Sequence, residues 1–156
     1  MGKMRITSLL PSLALLLAGL TPAFAGDSLY GKVTEVNGAD LVTFDYGSGQ
    51  YEVRIIGIDV PKEPSAASQA TEFLSKMVLG KNVRMGFDQL TPDGQILAHL
   101  YTDDPDIGIN DVSVELVKAG LARRVKGFDF KYGELATAEK EARSARRGLW
   151  ITDQPE

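Results

Sequence analysis

Two residues in the stretch Tyr51–Glu63, YEVRIIGIDVPKE, have the types and spacing to handle a phosphate or a cation. Arg54 sits inside an apolar run, and Asp59 closes that run just before Val60-Pro61. A guanidinium grips phosphate through a fork of N–H donors, and a carboxylate offers the hard oxygens a divalent cation takes. A buried strand ending in a surface turn would carry the same residues. A second stretch, Arg123–Tyr132 (RRVKGFDFKY), interleaves bases with aromatic rings. Such a surface grips a phosphate backbone and stacks bases, with Arg123, Arg124 and Lys126 as its candidate contacts. The plainer account of that run is a solvated strand edge over core aromatics. Arg143, Arg146 and Arg147 either extend the patch or pair with Glu139 and other acids along a helix surface. His99, the only histidine, has no serine or second carboxylate nearby and reads as a core residue rather than a base. Asp103, Asp104 and Asp106 lack the glycine and closing glutamate of a calcium loop and read as a solvated acidic loop.

The elements that position these residues follow from period and punctuation. Leu29–Val36, Asp40–Asp45 and Gln50–Ile58 alternate as strands, joined by Asn37-Gly38 and by Tyr46-Gly47-Ser48-Gly49, so three antiparallel strands form a meander. In the third, Val53, Ile55 and Gly57 face one way and Arg54, Ile56 and Ile58 the other. Pro61 removes a donor and fixes φ, which ends it. Ala66–Leu79, capped by Ser65 and stopped at Gly80, repeats apolar residues at helical spacing. Asn82–Asp88 and Gln95–Thr102 are strands on either side of a Pro92-Asp93-Gly94 turn, and Asp103–Gly108 is a loop. Asn110 or Asp111 caps a helix reaching Lys118, Leu121–Val125 is a short extended piece, and Glu134–Arg147 is the last helix before Trp150 plugs the core. Three strands, a helix, two strands and two helices describe an α+β, mainly β fold: a five-stranded antiparallel OB-type barrel with three helices. That fold often binds oligonucleotides or oligosaccharides, but the fold alone does not give function.

The chain has 156 residues, one domain's worth. Lys3 and Arg5, the apolar run Leu9–Leu20 and Ala23-Phe24-Ala25 read as a leader over residues 1–25, leaving a single domain over 26–156. Such a leader sends the domain to the periplasm or the medium. Its apolar run is short for a membrane span, and no membrane span is expected after cleavage. Removing it takes away two bases and no acids, leaving fifteen basic against 21 acidic residues, a net charge of −6. Bulk electrostatics therefore do not hold nucleic acid, and any phosphate binding has to be local. With no cysteine, the exported domain relies on its packed core. A monomer is expected.

From Tyr30 to Trp150 the chain resembles the staphylococcal nuclease (thermonuclease) family. The most specific pieces are VRIIGIDVP at Val53–Pro61, LVKAGLA at Leu116–Ala122 and AEKEARSARRGLW at Ala138–Trp150; VNGAD at Val36–Asp40 and DGQILAHLY at Asp93–Tyr101 are weaker. The resemblance implies Ca²⁺-dependent hydrolysis of DNA and RNA. Two aspartates and a carbonyl hold the cation, a glutamate handles the attacking water, and two arginines grip the phosphate. By this resemblance Asp59 and the Val60 carbonyl are calcium ligands and Arg54 is the first arginine. The other aspartate falls on Ala39 in one register and on Asp40 in the other, and strand parity in Leu41–Phe44 favours Asp40.

Two positions depart from the family pattern. Lys62 stands where the glutamate belongs, and an ammonium neither serves as that base nor tolerates a nearby calcium. Glu63 is adjacent, one residue out of place. Gln95 stands where the second arginine belongs and brings no charge. The expectation is a domain with an impaired cleavage centre and a weak or lost Ca²⁺ site, kept to bind single- or double-stranded nucleic acid or an envelope protein. The alternative is an active calcium-dependent phosphodiesterase that has recruited Glu63 or another group.

Overall fold

Period-two apolar patterning curls five strands into a closed barrel around one core. The computed structural model describes residues 28–104, 108–128 and 133–151. In chain order the strands and helices are β1 (Ser28–Val36), β2 (Leu41–Asp45), β3 (Gln50–Ile55), β4 (Ile58–Asp59), α1 (Pro64–Val78), β5 (Asn82–Leu90), β6 (Ile96–Asp104), β7 (Gly108–Asp111), α2 (Val112–Lys118), β8 (Arg123–Arg124) and α3 (Glu134–Ser144), followed by a 3₁₀ turn at Gly148–Trp150. The sheet order is β3-β2-β1-β5-β6, with β7 beyond β6. The barrel closes because β6 also pairs with β3, and this pairing is parallel: Val53 opposite Ile96, Arg54 opposite Leu97, Ile55 opposite Ala98. The other barrel pairings are antiparallel, as expected.

Inward-facing Val33, Val42, Phe44, Val53, Ile55, Met85 and Leu100 fill the barrel, and Leu74, Leu116 and Leu135 plug it from the helices. Each buried aliphatic or aromatic side chain contributes roughly 1.5–3 kcal/mol relative to exposure. A bulge in β1 between Val33 and Glu35 bends the strand where the barrel turns. Trp150 is buried at the chain end, as expected of a plug.

Several boundaries move for identifiable reasons. The third strand does not run from Gln50 to Ile58: Gly57, at φ +83°, breaks it into β3 and β4. Ser65 is not the cap of α1. The helix opens two residues earlier, with Glu63 at the N-cap position and Pro64 at its start, where the missing amide costs nothing. The expected loop Asp103–Gly108 is partly strand, because Asp103 and Asp104 continue β6 and pair with Ile109 and Gly108 of β7. Asp111, not Asn110, caps α2: its Oδ1 accepts from Ser113 N at 2.8 Å and Val114 N at 3.4 Å. The last helix ends at Ser144 rather than Arg147. The leader over residues 1–25, Asp106 of the acidic loop and Asp129–Tyr132 of the basic-aromatic run lie outside the described residues. Among the described residues no helix is long and apolar enough to cross a membrane.

Candidate functional site

Strand β3 has β2 on one side and β6 on the other, and both pair with it at Arg54, opposite Leu41 and Leu97. With Val53 and Ile55 turned into the core, alternation turns Arg54 outward. Asp40 immediately precedes β2 and Gln95 immediately precedes β6, so the two strand starts bring one acceptor to each flank of the guanidinium. Nη1 donates to Asp40 Oδ2 at 2.7 Å, and Nε donates to Gln95 Oε1 at 2.9 Å. The Arg54 side chain stays 41% exposed and that of Asp40 16%. Of the two residues open to the first ligand position, Ala39 is buried, while Asp40 stands at the arginine and its backbone carbonyl accepts from Ile55 N at 2.8 Å.

Gln95 is fixed from behind. Its backbone N–H donates to Thr91 Oγ1 at 2.9 Å, while its carbonyl accepts from the Thr91 hydroxyl at 2.9 Å and from Thr91 N at 2.8 Å. Its Nε2 reaches Glu52 Oε2 at 3.5 Å, the outer limit of a hydrogen bond. In the same turn the Thr91 hydroxyl holds the exposed Asp93 carboxyl below the usual range, with Arg54 adding a smaller pull. Sequence reasoning passed over Glu52 and Asp93. The signal for Glu52 was available, because it lies two residues before Arg54 on the same face of β3.

Asp59, Val60, Lys62 and Glu63 gather in a second place. The short strands β4 and β8 pair Asp59 with Arg123 and Ile58 with Arg124. Beside them a cleft of about 270 Å³ is lined by Asp59, Val60, Pro61, Lys62, Glu63, Arg123 and Leu149. Lys62 and Arg123, assigned separately from the sequence, thus share one wall with Asp59. Arg124 does not join them: its Nε lies 3.2 Å from Glu139 Oε2, and its N–H donates to Oε1 at 3.4 Å. Arg123 and Arg143 lie over the Trp150 ring, at 5.0 and 3.9 Å from its centroid. Lys126 is exposed, and Arg147 Nη1 donates to the Lys118 carbonyl at 3.0 Å. The basic run is therefore split between a cleft wall, a helix pair and solvent.

As arranged here, the oxygen donors do not form a calcium cage. Asp40 offers a hard carboxylate, but its Oδ2 is engaged by Arg54, and the cleft lined by Asp59 and Val60 is lined by cationic Lys62 and Arg123 as well. Among the described residues no three acidic, histidine or cysteine side chains gather closely enough to hold a metal ion. His99 is half-enclosed, and burial holds its imidazole below the ordinary range despite the nearby charge of Asp88. Its Nδ1 lies 4.0 Å from Asp111 Oδ2, too far for a hydrogen bond.

Residues 52–152 match the family described as staphylococcal nuclease homologue. A probable staphylococcal-like nuclease of Oryza sativa subsp. japonica is 30% identical over 131 residues, covering 83% of this chain and 36% of that protein. An uncharacterized endonuclease of Escherichia coli is 28% identical over 135 residues, 86% of this chain and 84% of that protein. A thermonuclease of Staphylococcus hyicus is 28% identical over 130 residues, 76% of this chain and 74% of that protein. The chain thus spans little more than a third of the rice protein and most of the two bacterial ones.

Proposed function

Given that the chain belongs to the staphylococcal nuclease homologue family, we propose that it is an exported domain that binds nucleic acid through its phosphate backbone with an impaired cleavage centre. The observation that carries this reading is the pair of substitutions around an intact Arg54: uncharged Gln95 bonded to it, and cationic Lys62 in the cleft with Asp59. Arg54 keeps its charge and exposure, so a phosphate still finds a donor. A second arginine acting on the transition state is worth about 10³–10⁵ in rate. Its absence raises the barrier by about 4–7 kcal/mol. An ammonium cannot take a proton from water at neutral pH, and it disfavours a divalent cation beside Asp59. Calcium binding is accordingly weak or lost in this reading. The residues meeting nucleic acid are Arg54, Arg123 and Lys126, and the protein works as a monomer in the periplasm or the medium.

One observation favours a second reading. Glu63 lines the same cleft as Asp59, where a carboxylate is within reach of remodelling into the missing base. Incubating the purified protein with single-stranded DNA and excess Ca²⁺, beside an Asp59→Ala control, separates the two. The expected outcome is no cleavage above the control, together with a salt-sensitive mobility shift of the labelled strand. Robust cleavage abolished by Asp59→Ala would instead establish the calcium-dependent phosphodiesterase. No shift even at low salt would favour docking to an envelope protein.

A further inference from the structure

Gln95 does more than leave an arginine out. We infer that it is a positioning residue for Arg54, holding the guanidinium by Nε so that the Nη edge faces an incoming phosphodiester. This rests on the reading that the site binds nucleic-acid phosphates.

A guanidinium has five N–H donors in a rigid plane. Here Gln95 takes the Nε–H at 2.9 Å and Asp40 takes one Nη1–H at 2.7 Å, at different edges of the plane. Among the described residues the remaining Nη hydrogens make no hydrogen bond, and the side chain is 41% exposed. Two fixed points set both the position and the tilt of the plane, so the free edge is oriented before a ligand arrives. Ordering an unrestrained arginine on binding would subtract from affinity, and a preorganised one avoids that loss.

The amide of Gln95 has one orientation that satisfies both neighbours. Its oxygen faces the Arg54 donor and its NH₂ faces the Glu52 carboxylate; a flip would set donor against donor and oxygen against oxygen. The backbone behind it is held by three hydrogen bonds to Thr91. The neutrality of the acceptor also matters. Asp40 already pairs with Arg54 and the Glu52 carboxylate stands behind Gln95, so a further carboxylate at position 95 would add to the negative charge an incoming phosphate meets. An amide supplies the acceptor without the charge.

Two substitutions divide these roles. Gln95→Met keeps the length and loses the acceptor; Gln95→Glu keeps the acceptor and adds charge. Two readouts are followed in the purified protein: the hydrogen-exchange protection of the Arg54 Nε–H by NMR, assigned through Arg54→Lys, and the affinity for a short single-stranded DNA oligonucleotide. Melting temperature serves as the control for folding. Gln95→Met is expected to lose Nε–H protection and about tenfold in affinity, the worth of one hydrogen bond to a charged group, without a matching drop in melting temperature. Gln95→Glu is expected to keep the protection and still lose affinity. Wild-type protection in Gln95→Met would overturn the inference, whether or not affinity falls. If the wild-type protein binds no oligonucleotide at low salt, the nucleic-acid reading fails instead. The Nε–H exchange then decides the positioning role by itself, faster exchange in Gln95→Met supporting it and unchanged exchange refuting it.

Discussion

Two side chains near the start of α2 have proton affinities displaced in opposite directions by the same cause. Burial lowers the pKa of His99 below 6.5 and raises that of Asp111 above 3.8, although Asp111 also accepts from the first turn of α2. An imidazole with a depressed folded pKa takes up protons more readily in the unfolded chain. Its contribution to stability is therefore intact above 6.5 and is lost as the pH falls from 6.5 through the folded value. Asp111 works the other way: the fold prefers its protonated form, so stability is lost as the pH rises from 3.8 through its raised value. In urea titrations the unfolding midpoint should fall as the pH drops below 6.5, and His99→Phe should flatten that limb; parallel curves for the two proteins would exclude His99 as the cause. At this scale, residue type alone identified Arg54 and Asp59 as groups able to meet a phosphate or a cation. The Arg54–Gln95 bond was not legible, because it joins residues 41 positions apart and depends on where the barrel closes.

Gly57 separates the two parts of the site. Ile55, Ile56 and Ile58 are all buried, which no uninterrupted strand with one solvated face allows. The turn at Gly57, φ +83°, resets the alternation and sends Asp59 to the cleft. The backbone freed by the break is satisfied elsewhere: the Ile56 carbonyl accepts from Ser113 Oγ at 3.0 Å, and that of Gly57 accepts from Val125 N at 3.0 Å. A Cβ at Gly57 would meet Leu135 and Phe128 at 3.0 Å, on top of the cost of a left-handed backbone. Gly57→Ala should therefore destabilise the protein by about 1–3 kcal/mol in denaturant titration; a change within experimental error would mean the break does not depend on glycine. Periodicity recovered the barrel strands and the three helices. It missed this break because a run of isoleucines satisfies a continuous buried strand equally well, and it missed β7 because a short acidic segment reads as loop.

At the scale of the molecule the charge balance limits the grip on nucleic acid. Without residues 1–25 the net charge is −6, and the cations of the site stand in two places, Arg54 beside Asp40 and Lys62 with Arg123 at the cleft. Contacts from Arg54, Arg123 and Lys126 alone give a slope of log affinity against log salt of about −2 for a single strand. A markedly steeper slope would mean that bases outside the site also meet the strand. The fold was legible as a whole from ordered motifs along the chain, whereas the parallel closure was not, since a local pattern does not say which strands meet last. That closure rests on pairings at Val53, Arg54 and Ile55, and Arg54 and Gln95 stand at its lip. The seam joins strands from the two halves of the chain, so a phosphate clasped at Arg54 would act as a latch across it. Any substitution that slackens the latch from inside the barrel would then weaken binding without touching an atom the ligand meets.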